Sequence, residues 1–328
     1  MSDPHPFSEF IRALGRGPTL SRSLTREEAK SAMAMILAGD VEPEQLGAFL
    51  MLLRYRTETA EELAGFIEAV RETIDLPLGA SLPDLDWPSY ADRHKQLPWF
   101  VLAALTLAQN GVRVLMHGIP GDSEGFVPTR SALAAMNIKP CDSIDQAFEH
   151  LDKSGFAYLP IEAFAPELYT LFGLRPLFGL RSMVNSLSRA LNPLGAPAQI
   201  QGVFHPNYRN LHLEAGQILG QPQAIVFKGG GGEGQRNPDK TCQCLCLEGG
   251  EIIEEDWPAL IEGPATPWRD EERNTDRIAA LWRGDLDYPP AAAAIIGTLA
   301  MALKLLGRAT TQEEADKAAR EMWKNRRS

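Results

Sequence analysis

The first quarter of the chain spaces its apolar residues as α-helices do. Three segments between residues 25 and 75 repeat apolar positions at intervals of three and four, which places them on one face of a helix. Two segments begin with capping boxes, Thr25-x-x-Glu28 and Thr59-x-x-Glu62. The pattern predicts a helical bundle over 7–75. We interpret it as a docking or dimerisation lobe because it carries no catalytic constellation.

Short apolar runs replace this pattern further along the chain. Residues 77–88 are a linker or a first short strand. Later runs are bounded by turn residues and separated by helical stretches, which predicts a parallel sheet with crossover helices. The predicted strands of this sheet are 112–116, 156–159, 200–204 and 224–227, and the C-terminal part adds an alternating strand at 241–247. An acidic loop and two helices, 291–306 and 312–323, complete the pattern.

Composition narrows the class of protein. The 328 residues contain no apolar run of 18, and the first 17 lack the apolar core of a secretory signal, so we expect no membrane span. Four cysteines do not form a disulfide framework, and we expect a cytoplasmic location. The net charge of −11 argues against a general polyanion binder, but 172–247 carries a net +4 and 248–276 a net −8.

Two stretches concentrate cations near predicted helix starts. Segment 172–193 holds Arg175, Arg181 and Arg189 among glycines and prolines, together with Asn185. It is either an ordinary helix entry or part of a site. Arg93 and Lys95 directly precede an apolar helix at 100–109, where cations at a helix N-terminus suit a phosphate. The alternative is a charged surface loop.

Two other patterns resemble known motifs but lack their context. Gly229-x-Gly231-x-x-Gly234 fits the dinucleotide fingerprint, yet turn-forming residues follow instead of a helix. Lys228 with Gly229 and Gly230 remains a candidate anion contact. Cysteines 242, 244 and 246 alternate along a strand, which indicates buried thiols rather than a zinc site. His205 follows a strand end and is a candidate ligand contact.

Residues 164–193 resemble the anthranilate phosphoribosyltransferase family. The matching residues are Phe164-Ala165-Pro166, the run Arg175-x-x-Phe178-Gly179-x-Arg181-Ser182, Asn185-x-Leu187 and Asn192-Pro193. The strand ending His117-Gly118 and the Gly-rich stretch after Phe227 occur in the family's order.

The resemblance implies an α/β fold, with a small all-helical lobe and a larger α/β lobe whose central, mostly parallel sheet is flanked by helices. The implied lobes are 1–78 with 165–198, which would dimerise, and 79–164 with 199–328. It also implies a cleft between the lobes that binds phosphoribosyl pyrophosphate, magnesium and an aromatic acceptor.

The chain departs from the family where the diphosphate and magnesium would bind. Residues 87–92 lack the family's glycines, Ile119-Pro120 replace Asn-Arg after His117-Gly118, and Gly234-Gln235 replace the paired Asp-Glu. Lys228 stands in place of a histidine. In these features the chain is similar to the divergent YbiB-like branch, which is associated with sequence-independent nucleic-acid binding by a homodimer.

This resemblance implies a catalytically divergent protein that binds DNA or RNA through a basic interlobe groove, with no catalytic residue, metal or cofactor assigned. The phosphate-binding candidates are Arg93, Lys95, Arg175, Arg181, Arg189, Lys228 and Arg236. The other cleft candidates are His117, Gly118, Asn185, His205, Gly229 and Gly230. An enzyme that transfers a pentosyl or phosphoribosyl group, using Mg²⁺ with phosphoribosyl pyrophosphate, is the alternative. A partner-binding pseudoenzyme that uses its acidic 248–276 face is a third reading.

Overall fold

The computed structural model describes residues 3–91, 95–121 and 125–327. Four helices form the N-terminal bundle: α1 Ser8–Gly15, α2 Arg26–Ala38, α3 Pro43–Arg56 and α4 Ala60–Arg71. Both predicted capping boxes form, at Thr25 and at Thr59, and α2 ends at Gly39 in the left-handed conformation. The bundle was predictable because each helix start depends on residues three apart in sequence.

A seven-stranded sheet forms the centre of the second lobe. Its strands are β1 Leu85–Ser89, β2 Val114–Gly118, β3 Phe156–Pro160, β4 Ala198–Val203, β5 Gln223–Lys228, β6 Cys242–Glu248 and β7 Glu251–Trp257. The spatial order is β3-β2-β1-β4-β5-β6-β7. The first five strands pair in parallel, and β6 and β7 are added antiparallel. The mostly parallel sheet expected from the resemblance is confirmed.

Helices cover both faces of this sheet. One face packs against α5 Phe100–Gln109, α6 Thr129–Ala135, α13 Asp276–Arg283, α14 Pro289–Leu305 and α15 Gln312–Lys324. The opposite face shares its core with the N-terminal bundle and with α7 Ile144–Ser154, α8 Ile161–Phe164, α9 Pro166–Phe172 and α11 Val184–Ala190. The short α10 is Arg175–Phe178, and α12 Tyr208–Ile218 packs on β4, β5 and β6.

The acidic segment 248–276 is not the single loop that the sequence pattern predicts. It begins by completing the β6–β7 hairpin, whose turn is Gly249-Gly250 with both φ angles positive, at 59° and 85°. A two-glycine turn between alternating residues is a local hairpin signal. The prediction missed it because the high charge of β7 resembles a solvated loop, and β7 is indeed mostly exposed.

Candidate functional site

Four adjoining cavities open where the carboxyl ends of β4 and β5 face the segment 175–189. In open α/β sheets, ligands bind beyond the carboxyl ends of the strands. The largest cavity, which we call the groove, has a volume of about 980 Å³. It meets an inner pocket of about 110 Å³ through Arg181 and Phe204, and a side pocket of about 130 Å³ through Lys228 and Lys240. An apolar pocket of about 420 Å³ joins the inner pocket at Asn185.

The structure brings most of the predicted cations to these cavities. Lys95, Arg181 and Lys228 line the groove, Arg189 lines the inner pocket with Arg181, and Arg175 lines the apolar pocket. Arg93 lies outside the described residues. These cations come from three separate segments, which the fold gathers at one edge of the sheet.

Arg236 does not belong to the groove, so the structure contradicts its predicted phosphate contact. Its side chain is 1% exposed, and Nη2 donates a hydrogen bond to the Pro258 carbonyl. The guanidinium carbon lies 5.1 Å from the ring centre of Trp257. The cause is the backbone after Gly234, which turns inward and donates from Arg236 N to Thr298 Oγ1 of α14 at 3.0 Å.

The other cleft candidates divide into two groups. Asn185 lines the inner and apolar pockets, His205 the inner pocket and the groove, and Gly229 and Gly230 the groove. His117 and Gly118 instead lie beneath the cleft at the buried end of β2, and neither lines any of the four cavities. A side chain on residue 118 would place its Cβ 2.1 Å from the Ser89 carbonyl oxygen, so this glycine permits close strand packing.

His117 belongs to a buried polar chain that crosses the sheet. Its Nε2 lies 3.1 Å from Asp86 Oδ1, and its Nδ1 lies 2.7 Å from Tyr90 Oη. Asp86 also accepts from Gln199, which accepts from Gln201, and Gln201 Oε1 lies 2.5 Å from His212 Nδ1. Burial, followed by the charge of Arg189, lowers the pKa of His212 to about 3, so a neutral imidazole faces the inner pocket.

Sequence reasoning missed several lining residues. Arg54 reaches the inner pocket from α3 and donates to Tyr208 Oη at 3.3 Å, a contact between residues 154 apart. Trp268 and Arg269 line the groove although they belong to the acidic segment. Phe204 directly follows β4 and is 53% exposed. An aromatic residue at the carboxyl end of a parallel strand was the one usable sequence signal.

Electrostatics in the cleft favour an anion. Burial, followed by the charge of Arg181, lowers the pKa of Arg175. Burial lowers the pKa of Arg189, Glu233 opposes this shift, and Arg181 acts in the same direction as burial. These shifts mean that like charges lie close together with reduced hydration, while arginine stays protonated at neutral pH. An anion entering between them would relieve the repulsion.

Glu233 anchors the Gly-rich segment after β5. Its side chain is 4% exposed, and Oε1 accepts a hydrogen bond of 2.7 Å from Ala91 N. Burial raises the pKa of this carboxyl to about 7, although the charge of Arg189 and the hydrogen bond from Ala91 favour ionisation. Glu233 therefore ties the segment to the end of β1.

The described residues of this segment do not fit a magnesium ion. Mg²⁺ prefers ionised carboxylates. Glu233 is buried with one oxygen committed to Ala91, and Gln235 Oε1 accepts from Phe100 N at 3.0 Å. Within 3–91, 95–121 and 125–327, no group of three or more His, Cys, Asp or Glu residues could hold a metal ion. We therefore assign no chemistry through a metal.

We expect Glu233→Gln to remove a pH-dependent loss of stability. Folding raises this pKa from 4.5 to about 7, so the native state keeps a proton that the unfolded chain releases. The stabilisation is full below pH 4.5 and is lost as pH rises to about 7. Between pH 5 and pH 7, the wild type should lose about 2 kcal/mol of unfolding free energy relative to the variant.

Urea denaturation of both proteins across this pH range measures the difference. Protonation of His212 acts in the opposite direction but contributes equally to both proteins. Glu214→Gln removes the same charge from an exposed position of α12 and serves as the control. Parallel stability profiles for wild type and Glu233→Gln would contradict the assignment.

Among the described residues, none of the helices combines the length and the apolar character that a membrane span requires.

Comparison with known proteins places the chain among glycosyltransferases. Residues 8–74 match the helical bundle domain of the glycosyl transferase family. The chain is 31% identical over 247 residues to the uncharacterized protein YbiB of Escherichia coli (strain K12), covering 74% of this chain and 76% of YbiB. It is 30% identical over 232 residues to an anthranilate phosphoribosyltransferase of Desulfitobacterium hafniense (strain Y51), covering 70% and 68% respectively.

The fold is similar to that of solved anthranilate phosphoribosyltransferases. The crystal structure of anthranilate phosphoribosyltransferase from Thermus thermophilus superimposes with a TM-score of 0.81 at 23% identity, over 98% of this chain and 94% of that one. The Saccharomyces cerevisiae enzyme, solved in complex with phosphoribosyl pyrophosphate and magnesium, gives a TM-score of 0.75 at 15% identity, over 97% and 93%. Together with the sequence relatives, these findings show that the chain belongs to the anthranilate phosphoribosyltransferase-like family of glycosyltransferases.

Proposed function

We propose that this protein binds nucleic acid without sequence preference, along the groove and its adjoining pockets. The charge of the lining carries the proposal. Among the described residues, nine cationic side chains line the four cavities and Asp270 is the sole acidic one. The nine are Arg54, Lys95, Arg175, Arg181, Arg189, Arg209, Lys228, Lys240 and Arg269. In a chain of net charge −11, this concentration of cations matches a polyanion track.

Aromatic side chains in the same lining favour a single-stranded nucleic acid, whose bases are accessible for stacking. Phe126, Phe204 and Trp268 line the groove together with the cations. Trp268 is oriented by a hydrogen bond of 2.7 Å from Nε1 to Asp239 Oδ2. Proteins that bind single strands without sequence preference combine a basic groove with aromatic platforms on which bases stack.

The chain lacks the family's diphosphate-binding glycines after β1, and this supports the same proposal. The residues that follow β1 include Tyr90 and Ala91 rather than glycines, and Ala91 N is already committed to Glu233. A backbone donor held in this way does not cradle a diphosphate. We infer a protein that keeps the cleft of its family and uses it for direct phosphate contacts.

Assembly as a homodimer through the helical lobe stays a prediction that analytical ultracentrifugation can test.

The proposal is tested by the salt dependence of binding. We expect a fluorescein-labelled 20-nucleotide single strand to bind at 50 mM salt, with the affinity falling steeply towards 200 mM. Each phosphate neutralised on a single strand contributes about 0.7 to the slope of log affinity against log salt, so six contacts would give a slope of about −4. Fluorescence anisotropy measures it, with a duplex of the same sequence alongside. Absence of binding at 50 mM salt would refute the proposal.

The apolar pocket favours one other function, transfer of a phosphoribosyl group to an aromatic acid. Phe172 and Leu180 line this pocket beside Arg175 and Asn185, so a flat apolar ring and a carboxylate would both find contacts. The relative from Desulfitobacterium hafniense is an anthranilate phosphoribosyltransferase. Isothermal titration calorimetry with phosphoribosyl pyrophosphate discriminates between the functions. Micromolar binding that requires magnesium would favour the transferase.

A further inference from the structure

A pair of cysteines lies at the wall of the side pocket. Cys242 and Cys244 occupy the same face at the start of β6, and their sulfur atoms are 3.8 Å apart. Cys242 lines the side pocket together with Arg209, Lys228 and Lys240. The pocket volume of about 130 Å³ exceeds that of a few water molecules, so a molecule as small as a peroxide can reach the thiol.

A buried cation lies next to this pair. Arg236 is 1% exposed, and its Nε and Nη1 have no hydrogen-bond partner among the described residues. Its guanidinium carbon lies 5.1 Å from the ring centre of Trp257, which pairs with Cys242 across β6 and β7. A buried guanidinium stays charged and requires an anion nearby. A thiolate at Cys242 would supply such a charge in addition to the carboxylate of Asp316.

The local hydrogen bonding favours the same ionisation. The pKa of the Cys242 thiol is lowered, chiefly by the contact between its sulfur and that of Cys244, with further help from Arg236 and Arg209, while burial acts in the opposite direction. The pKa of Cys244 is raised by the same contact and by burial. Burial raises the pKa of Cys246 to about 12, and Glu255 adds to the effect. The three thiols of β6 are therefore chemically different.

We propose that Cys242 and Cys244 form a reversible, peroxide-sensitive dithiol that Arg236 activates and that a small oxidant reaches through the side pocket. The inference does not depend on nucleic-acid binding. The Cys242 thiolate attacks one oxygen of hydrogen peroxide, the O–O bond breaks, and the leaving hydroxide is protonated to water. The Cys244 sulfur then displaces the hydroxyl group of the Cys242 sulfenic acid, which leaves as water with the Cys244 proton. Two thiols lose two electrons, and one peroxide becomes two waters.

The position of Cys242 in the sheet allows the sulfurs to approach. The sulfurs must close by about 1.8 Å to reach the length of a disulfide bond. Cys242 pairs with Trp257 of β7, but pairing with β5 begins at Cys244. The first residue of β6 is therefore held on one side, which lets its backbone shift. A bond formed under such strain is readily reduced, as a reversible site requires.

The test begins with the folded wild type, treated with hydrogen peroxide at pH 7.5, alkylated and analysed by peptide mass spectrometry. We expect a loss of about 2 Da, confined to the peptide that carries Cys242 and Cys244 and reversed by dithiothreitol. Without peroxide, iodoacetamide should modify Cys242 about tenfold faster than Cys246. Cys141 is the internal control, because it is fully buried and burial raises its pKa to about 11.

Variants assign the roles of the two sulfurs. Cys244→Ser should leave a sulfenic acid on Cys242 that dimedone traps, whereas Cys242→Ser should give no adduct. Cys246→Ser should still form the bond. The proposal is overturned if peroxide removes no thiol, if Cys141 oxidises as fast as Cys242, or if the Cys246→Ser variant fails to form the bond while its circular dichroism spectrum is native. If a variant does not fold, fragmentation of the wild-type peptide decides the case, because Cys246 should then be the one alkylated thiol of the three.

Discussion

The double variant Arg181→Glu with Lys228→Glu is expected to bind a labelled single strand about a hundredfold more weakly than the wild type at 100 mM salt. Both side chains line the groove, and Arg181 also lines the inner pocket, so the substitutions place carboxylates in the middle of the basic lining. Loss of two phosphate contacts should also reduce the salt slope by about 1.4. Fluorescence anisotropy over a salt series measures both quantities.

A matched control separates contact from net charge. Arg16 and Lys139 are exposed and line none of the four cavities. Their joint replacement by Glu changes the net charge by the same four units and should alter the affinity less than about threefold, because exposed charges beyond a Debye length are screened. Equal losses in the two double variants would show that binding follows overall charge, and the groove assignment would fail.

Gly202→Ala is expected to cost about 3 kcal/mol of unfolding free energy and to displace the Gly-rich segment from the groove. The segment leaves β5 and passes directly over β4. A Cβ on residue 202 would lie 2.0 Å from both the carbonyl carbon and the carbonyl oxygen of Glu233. These are backbone atoms, so the clash is relieved by moving the segment rather than by rotating a side chain. Urea denaturation measures the stability, and anisotropy measures the accompanying loss of binding.

Gly216→Ala makes the same chemical change on the neighbouring helix α12. Its Cβ would meet Gln221 Cβ at 3.6 Å and Leu247 Cδ2 at 3.7 Å, which are ordinary contacts. Alanine favours a helix over glycine, so this variant should gain about 0.5 to 1 kcal/mol. Opposite signs for the two glycines would support the close crossing at Gly202. A small change in unfolding free energy at both positions would show that the Gly-rich segment can move aside at little cost.

The helices and the parallel strands were predictable because their signals are local. The capping boxes at Thr25 and Thr59 and the cap at Ser143, whose side chain accepts from Gln146 N, depend on residues three apart. The alternating thiols of β6 are buried as the pattern indicates. The hairpin turn at Gly249-Gly250 was equally local, and its acidic second strand hid it.

The candidate site was predictable in part. The cations of segment 175–189 were singled out by their density among glycines and prolines, and the structure places them along the cleft. Arg236 shows the limit of such reasoning. The backbone after Gly234 turns inward, and this places the cation in the core rather than in the groove. Arg54 and Trp268 carry no local signal, since their neighbours in space lie far away in sequence.

The sequence by itself determined most of the helices and parallel strands of this protein, its family and the basic character of 172–247, because each follows from residues close together along the chain. The tertiary structure decided which charges share a surface. It gathered nine cations and three aromatic rings from both lobes around the ends of β4 and β5, and it buried Arg236 beside Cys242 and Cys244. The physical reason is that electrostatic potential and accessibility depend on distances through space, which only the packing of the elements sets.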